Sequence, residues 1–221
     1  MCNGDTCNCR ECLTLGDMAP DFEATTTHGE IKFSEYIKDS WVIFFSHPAD
    51  FTPVCTTEFL AFAETQEEFD KRSVKLIGLS IDSVYSHIAW LRTIEDKFEV
   101  KVKFPVIADL SMNVAKKYGM IHSEMSNTHA VRTVTIINPR GEVAFLVTYP
   151  MSVGRNIEEI IRIIDALQIV EKKKVATPAN WQIGDNAIIP PPQTMEGAEK
   201  SLEKHKDDPN CYDWFLCKTK I

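Results

Sequence analysis

The chain has 221 residues, 44% of them hydrophobic and 25% charged, which is enough apolar material for one substantial core. Its formal net charge of -8 argues against a general nucleic-acid-binding protein, because counterion release requires clustered Lys and Arg. No stretch approaches the roughly 20 apolar residues of a membrane span, and the polar N-terminus lacks the apolar core of a secretory signal. We therefore expect a cytoplasmic protein without membrane contact.

In the first half of the chain, apolar runs typical of strands alternate with segments that have helical spacing. Residues 41–46 (WVIFFS) and 74–81 (VKLIGLSI) are apolar enough for strands that are covered on both faces. Between them, phenylalanines at helical spacing predict a helix over 54–71. A second helix is predicted over 84–98, and its predicted apolar side carries Ile88, Leu91 and Ile94. A third strand and a short helix are expected next, at 104–109 and 111–118. This order predicts a parallel sheet with helices on its faces.

The next two predicted strands are adjacent in the sequence, with no helix between them, which indicates antiparallel pairing. Residues 131–138 and 142–149 flank the turn sequence NPRG and predict a hairpin. Asn156 and Glu159 form a capping-box-like start for a long helix, whose apolar stripe follows: Ile157, Ile160, Ile161, Ile164 and Leu167. A parallel core, an antiparallel hairpin and a closing helix describe an α/β protein of the thioredoxin-like fold, a mixed sheet flanked by helices.

After about residue 170 prolines accumulate and periodic positions become few, which predicts an extended arm rather than a second core. The expected organisation has three parts: a cysteine-rich tail at 1–12, a thioredoxin-like domain at 13–170 and a C-terminal arm at 171–221.

Seven cysteines divide into an N-terminal group, one isolated residue and a C-terminal pair: Cys2, Cys7, Cys9 and Cys12; Cys55; Cys211 and Cys217. In a reducing compartment such cysteines more often indicate metal or redox chemistry than structural disulfides. The C-x4-C-x-C-x2-C spacing of the N-terminal group fits either a soft-metal site or a redox-active tail, and no ligands are assigned.

The isolated Cys55 lies where a helix is predicted to start. Pro53 suits the first helical position and Thr52 the N-cap, which puts Cys55 in the first turn at the positive end of the helix dipole. A helix N-terminus with a nearby cation can lower a thiol pKa from near 8.5 to roughly 3.5–7.5. The spacing to Phe59 places Cys55 near the buried side of the helix. The alternative is an unreactive core cysteine.

Pro48, Thr52 and Cys55 in PADFTPVC follow the Pro-x-x-x-Thr-x-x-Cys pattern of peroxiredoxins. The longer FSHPADFTPVCTTEF resembles the one-cysteine-type, peroxiredoxin 6-like subfamily and especially its archaeal-type members with a C-terminal cysteine pair. The resemblance runs from about residue 13 to the C-terminus and includes YPMSVGRNIEEI, VATPANW and CYDWFLC.

The resemblance implies a thiol peroxidase that reduces hydrogen peroxide and organic hydroperoxides through a sulfenic acid on Cys55. Thr52 and the Cys55 backbone N–H would donate hydrogen bonds, Pro48 would shield the sulfur, and Arg132 would hold the thiolate and the peroxide. Without the resemblance Arg132 would be an ordinary strand residue.

Three further residues match supporting positions of the family. Glu58 and Arg155 would orient Arg132, and His47 matches a pocket histidine. The alternatives are a helix-end ion pair for the first two and an inert strand-end histidine for the third.

The resemblance also implies how the sulfenic acid is resolved. Cys217 of a partner subunit would attack the oxidised Cys55, and Cys211 would then exchange the bond, unless both are unreactive arm thiols. A thioredoxin-like or other disulfide reductase would supply electrons. The family further implies a homodimer assembled into a decameric ring, without a metal or other cofactor.

Two other functions use the same cysteine or the same fold. A redox-regulated chaperone or peroxide sensor would keep Cys55 but need little turnover, and a thioredoxin-type reductase is disfavoured because C-x-x-C is missing at the strand–helix turn.

Some relatives have phospholipase activity. Here Ser40 matches the serine, but Ser34 and Arg140 stand where the histidine and aspartate are needed, so we expect no lipase activity.

Overall fold

The computed structural model of the chain describes residues 13–221, which fall into two compact units, 13–157 and Glu158–Ile221. The cysteine-rich segment at 1–12, whose cysteine spacing fits either a soft-metal site or a redox-active tail, lies outside the described residues.

The first unit is built on a seven-stranded mixed sheet in the order β2-β1-β5-β4-β3-β6-β7. Its strands are β1 (Glu23–Thr26), β2 (Gly29–Lys32), β3 (Trp41–Ser46), β4 (Val74–Ser80), β5 (Val106–Ala108), β6 (Arg132–Ile137) and β7 (Val143–Tyr149). The helices are α1 (Phe33–Tyr36), α2 (Pro53–Glu64), α3 (Gln66–Lys71), α4 (Val84–Phe98) and α5 (Asn113–Lys117). These bounds confirm the predicted thioredoxin-like α/β architecture.

Strand directions bring distant segments to one edge of the sheet. β3, β4 and β5 are parallel, whereas β6 runs antiparallel to β3 with Phe45 opposite Val134. The first residue of β6, Arg132, therefore lies beyond the carboxyl end of β3. The chain leaves β3 there to form the loop before α2, so the sheet topology alone gathers residues that are far apart in the sequence.

The aromatic core of this unit surrounds Phe44 of β3. Its ring centroid lies 4.7 Å from that of Tyr118, 5.4 Å from Phe33 and 5.9 Å from Phe22. Phe44 is fully buried, and edge and tilted ring contacts of this kind stabilise a core beyond their buried area. The sheet that carries the site is thus fixed from one face by tightly packed rings.

The predicted helix over 54–71 is divided in two. α2 ends at Glu64 and α3 begins at Gln66, with Thr65 between them. The Thr65 hydroxyl donates to the carbonyl of Ala61 at 2.6 Å, and such side-chain bonds compete with the helical ladder.

The predicted buried side of α4 was right for Ile94 and wrong for Ile88. His87, Trp90 and Ile94 face the interior, whereas Ile88 is 42% exposed and Leu91 is only partly buried. A buried hydrogen bond from His87 to Asp50 and the large ring of Trp90 fix this rotation of the helix.

The second unit, Glu158–Ile221, contains more regular structure than the predicted arm. Most of α6 (Ile157–Lys173) opens it, and α7 (Met195–Lys204) is capped by the Thr194 hydroxyl, which accepts from the Gly197 N–H. A three-stranded sheet has the order β8-β10-β9, with β8 (Ala187–Ile188), β9 (Cys211–Asp213) and β10 (Leu216–Thr219). Neither α7 nor this sheet was predicted from the sequence. Among residues 13–221, no helix is both long and apolar enough to cross a membrane.

Removal of the central ring should destabilise the first unit strongly. We expect Phe44→Ala to lower the free energy of unfolding by about 3–5 kcal/mol, because the lost ring leaves a cavity among three aromatic neighbours. The control is Phe98→Ala on α4, where the side chain is 51% exposed and the change should stay within about 0.5 kcal/mol. Urea denaturation of both variants measures the difference, and equal losses would contradict this account of the core.

Candidate active site

Cys55 lies in the first turn of α2, as predicted. Thr52 occupies the N-cap position with extended backbone and Pro53 is the first helical residue, so the helix starts immediately after the loop that follows β3. The N–H groups of a first turn have no intrahelical acceptor, and they point toward the N-terminus. The side chain of Cys55 is fully buried. The thiol is therefore enclosed at the positive end of a helix.

Arg132 reaches the sulfur from β6. Its Nη1 lies 3.4 Å from Cys55 Sγ and 2.6 Å from Glu58 Oε2, while its Nε donates to the Met151 carbonyl at 2.8 Å. The guanidinium is held at three points and is only 3% exposed. A fixed cation is thus in hydrogen-bond contact with the thiol.

Glu58 joins this arginine to a second one. The Arg155 backbone N–H and Nε donate to Oε1 at 2.9 Å, and its Nη2 donates to Oε2 at 2.6 Å. Arg155 Nη1 also donates to the carbonyls of Ser46 and Thr133 at 2.9 and 3.2 Å. Burial lowers the pKa of Arg155, although the Glu58 carboxylate opposes that effect. Glu58 therefore positions Arg132 and is itself clamped by Arg155.

The formal charges of this buried group do not cancel. Two guanidinium groups and one carboxylate leave one positive charge beside Cys55, and an uncompensated charge is expensive in a water-poor interior. A negative charge on Cys55 Sγ would neutralise this remaining positive charge. The arrangement thus favours a charged nucleophile or an anion-like transition state at Sγ.

The loop before Cys55 is tightly constrained. Pro48 is buried, and Phe51 adopts a left-handed φ of 55°, a strained conformation for a bulky residue. The Thr52 hydroxyl donates to the Ala49 carbonyl at 2.8 Å instead of capping the helix. The predicted donor is therefore already engaged, and the hydroxyl oxygen offers its lone pairs as an acceptor.

His47 belongs to a buried cluster that the sequence analysis did not find. Its Nε2 is 3.0 Å from Asp50 Oδ1, and His87 Nδ1 is 2.8 Å from Asp50 Oδ2. His87 Nε2 faces the Ile107 carbonyl at 3.1 Å, while Nδ1 of His47 is buried without a hydrogen-bond partner within residues 13–221. The Asp50 N–H donates to Asp82. The cluster anchors the loop to α4 and β5.

The protonation of this cluster follows from its environment. Burial lowers the pKa of His47 and outweighs the opposing hydrogen bond and charge of Asp50. Burial alone would raise the pKa of Asp50, but hydrogen bonds from both imidazoles hold the pKa of that carboxyl well below its usual range. Removal of either imidazole would therefore raise the pKa of Asp50.

Asp50 and His87 were missed because no local motif marks them. Asp50 looks like a turn residue in PADFT, and His87 interrupts an otherwise apolar helix face. The only sequence signal was a polar residue at a helical position three residues before Trp90 and seven before Ile94, which share its buried side.

Cys211 and Cys217 lie in the second unit and are bonded to each other as a disulfide across the β9–β10 hairpin. Cys217 is 4% exposed and Cys211 is half-buried. Within residues 13–221, Cys55 is the free cysteine. Cys55 and the C-terminal cysteine pair therefore differ in redox state in this structure.

Stability should fall in mild acid because of His47. The unfolded chain binds a proton on this residue below about pH 6.5, whereas the folded protein keeps it neutral down to its lowered pKa. Between those two values each pH unit should remove up to about 1.4 kcal/mol from the free energy of unfolding. His47→Gln should flatten this slope in urea denaturation series between pH 7.5 and about pH 5.

His28→Gln is the matched control, because His28 is exposed in the turn between β1 and β2. Its slope should equal that of the wild type. If His47→Gln retains the full wild-type slope, His47 is not the group that is kept neutral by folding.

Comparison with known proteins agrees with this geometry. The model of the AhpC/TSA family matches residues 15–146, and that of the C-terminal domain of one-cysteine peroxiredoxin matches residues 166–205. A peroxiredoxin of Methanosarcina mazei is 56% identical over 209 residues, covering 92% of this chain and 95% of its own length.

Two solved structures are also similar. The yeast mitochondrial one-cysteine peroxiredoxin has a TM-score of 0.82 at 43% identity, covering 95% of this chain and 100% of its own. A cysteine-to-serine mutant of peroxiredoxin 6 from Arenicola marina has a TM-score of 0.82 at 38% identity, covering 94% of this chain and 98% of its own. The chain therefore belongs to the AhpC/TSA family of peroxiredoxins and is a thiol-dependent peroxidase.

Proposed function

We propose that Cys55 is the peroxidatic cysteine and that Arg132 is its principal catalytic partner. The observation that carries the proposal is the 3.4 Å contact between Arg132 Nη1 and Cys55 Sγ inside a buried ion network. A guanidinium fixed by Glu58 and Met151 needs no rearrangement to meet charge that develops at the sulfur or at a bound oxygen.

The reaction follows from that contact. The Cys55 thiolate attacks one peroxide oxygen, an S–O bond forms as the O–O bond breaks, and the departing oxygen takes up a proton and leaves as water or an alcohol. Cys55 becomes a sulfenic acid. Arg132 and the backbone N–H groups of the first turn of α2 stabilise the negative charge that accumulates along the S–O–O axis.

Thr52, Pro48 and His47 complete the pocket in this proposal. Because the Thr52 hydrogen is directed at Ala49, its oxygen accepts a hydrogen bond from the O–H of the peroxide and so orients the molecule. Buried Pro48 shields the sulfenic acid from water. The unpartnered Nδ1 of His47 provides a polar site at the end of β3. Glu58 and Arg155 are positioning residues that act through Arg132.

Cys217 of a partner subunit then resolves the sulfenic acid. Its thiolate attacks Cys55 Sγ, a disulfide forms between chains, and the sulfenic oxygen departs as water after protonation. Cys211 attacks the Cys217 sulfur next, which releases the Cys55 thiolate and leaves a Cys211–Cys217 disulfide. The bond across the β9–β10 hairpin supports this order, because it is the product of the exchange.

An external dithiol, of the thioredoxin type or another disulfide reductase, reduces the Cys211–Cys217 bond. We further propose a cytoplasmic homodimer that assembles into a decameric ring, with 13–170 as the catalytic domain and 171–221 as the arm that contacts the partner. A chaperone or peroxide sensor using Cys55 is the less favoured alternative, because the relatives that match over nearly the whole chain are peroxiredoxins. Steady-state turnover with a reductant separates the two.

The role of Arg132 is tested by the rate at which Cys55 reacts with hydrogen peroxide. Arg132→Met should lower the second-order rate constant for Cys55 oxidation by about 10²–10³, the usual effect of removing one preorganised donor. Stopped-flow measurement of Cys55 oxidation gives this constant without involving the reductant.

Arg92→Met is the matched control, because Arg92 is exposed on α4 and the same charge is removed. It should react at the wild-type rate. Glu58→Gln leaves both arginines but frees Arg132, and we expect an intermediate loss. An Arg132→Met rate within about twofold of the wild type would refute the assignment.

The resolving step is tested by mass analysis under non-reducing conditions. The reduced protein receives one equivalent of hydrogen peroxide, and Cys211→Ser should accumulate a Cys55–Cys217 cross-link between chains because the exchange step is blocked. Cys217→Ser should instead retain a sulfenic or sulfinic acid on Cys55.

Both variants remove one thiol from the same hairpin, so each is the control for the other. If Cys217→Ser forms as much cross-link between Cys55 and another chain as Cys211→Ser does, Cys217 is excluded as the resolving cysteine. Persistent Cys55 sulfenic acid in both, and in the wild type, would mean that an outside thiol performs the resolution.

A further inference from the structure

A second cluster of metal-ligating side chains lies in the second unit, apart from the peroxidatic site. One ring nitrogen of His205 and the sulfurs of Cys211 and Cys217 lie within 4.8 Å of one another. A carboxylate oxygen of Asp208 is 3.7 Å from His205 Nδ1. Two thiols, an imidazole and a carboxylate form a ligand set typical of Zn²⁺. In the oxidised hairpin the sulfurs are bonded to each other and cannot act as thiolate ligands.

We propose that the reduced form of the chain binds one zinc ion through Cys211, Cys217 and His205, with Asp208 or water as the fourth ligand, and that oxidation of the cysteine pair releases it. The proposal concerns a site outside the peroxide chemistry, and it does not depend on which cysteine resolves Cys55.

The distances suit a tetrahedral ion. Zinc lies about 2.3 Å from thiolate sulfur and about 2.0–2.1 Å from imidazole nitrogen, so its ligand atoms are separated by roughly 3.5–3.8 Å. Once the S–S bond is reduced, small side-chain rotations bring the three atoms to those separations. Cys211 and Cys217 are register partners on adjacent strands, which keeps both sulfurs on one side of the hairpin.

The backbone already holds the ligands together. His205 is the C-cap residue that follows α7. Its carbonyl accepts from the Asp208 N–H at 3.1 Å, and the Asp208 carbonyl accepts from the Cys211 N–H at 3.0 Å. Two successive turns therefore connect three of the four ligands. Little chain entropy remains to be lost on binding, which favours affinity.

The site is also accessible and has the right charge. His205 and Cys211 line a surface cavity of about 570 Å³, so an ion and its displaced water have a path. The same cavity is lined by three carboxylates, Glu199, Glu203 and Asp213, against one lysine, Lys206. This excess of negative charge attracts a divalent cation.

The buried cluster of His47, Asp50 and His87 has a comparable ligand set but is a weaker candidate. Its Asp50 carboxylate is already bonded to both imidazoles, and all three residues are buried. No thiol takes part there.

The redox step balances with the substrate of the enzyme. Zinc binding displaces the protons of two thiols. One hydrogen peroxide and two protons then take two electrons from the thiolate pair, giving one S–S bond, two water molecules and free Zn²⁺. Zinc retention thus reports a reduced arm, and zinc release reports peroxide exposure.

The experiment uses the full chain with Cys2, Cys7, Cys9 and Cys12 replaced by Ser, so that N-terminal thiols do not compete. The reduced protein should bind one Zn²⁺ per chain in competition with a chromophoric chelator. The protein in which diamide has formed the Cys211–Cys217 disulfide, verified by mass analysis, should bind none. Replacement of Zn²⁺ by Co²⁺ should give the sulfur-to-metal absorption of a tetrahedral thiolate site.

His205→Gln should weaken zinc binding at least about tenfold, whereas His28→Gln, an exposed histidine in the first unit, should not change it. Cys211→Ser and Cys217→Ser should each abolish it. Two variants are used because Cys217 is buried and its replacement alone could disturb the hairpin. Equal zinc binding by the reduced and oxidised protein, or by His205→Gln and its parent, would overturn the proposal.

Failure of this proposal and failure of the proposed peroxidase residues are distinguishable. Cys55→Ser should lose peroxide reduction and still bind zinc when reduced. A protein that turns over peroxide in the presence of a strong chelator but never binds Zn²⁺ would refute the zinc site alone.

Discussion

The Glu58 carboxylate is the constraint on which the active site depends. It accepts hydrogen bonds from Arg132 and Arg155, and all three groups are almost entirely removed from water. Removing one partner from a buried ion network typically costs about 3–5 kcal/mol, because the remaining charge is left uncompensated. Loss of any one of the three side chains therefore weakens the whole network. When it is complete, the position of Arg132 relative to Cys55 is fixed to within the freedom of its hydrogen bonds.

A second anchor acts on the other side of the cysteine. Asp50 ties the loop after β3 to His87 of α4 and, through its N–H, to Asp82 after β4. The strained backbone of Phe51 is retained between this anchor and the start of α2 at Thr52. The loop is thus held at both ends by polar contacts that exist only in the folded sheet. Because the two anchors lie on different elements, the pocket is a product of the tertiary structure and not of the PADFTPVC segment alone.

Sequence patterns predicted the elements whose apolar residues recur at regular spacing. They did not predict the features that depend on buried contacts between polar residues. β3, β4, α4 and the β6–β7 hairpin were located because their apolar residues recur at strand or helix spacing. The buried side of α4 was misjudged because the apolar pattern places Ile88 toward the interior. In the structure a hydrogen bond to Asp50, 37 positions away in the sequence, places His87 on the buried side instead. Apolar periodicity did not reveal α7, because few of its residues are buried. It did not reveal the sheet of β8, β9 and β10 either, because these strands are only two to four residues long. Cys55, in contrast, was found because Thr52 and Pro53 mark a helix start within three residues of it.

The two cysteine sites have opposite physical requirements. Attack on peroxide needs an enclosed sulfur beside a fixed cation, and Cys55 is fully buried beside Arg132. Thiol–disulfide exchange needs a sulfur that another protein can reach, and Cys211 is half-buried at a hairpin beside a surface cavity. Because Cys55 is fully buried in this structure, a second thiol can bond to its sulfur only after that sulfur becomes exposed. In the proposed cycle, peroxide reduction and resolution therefore require different exposures of the same sulfur, and the contacts among Cys55, Arg132 and Glu58 favour the enclosed one.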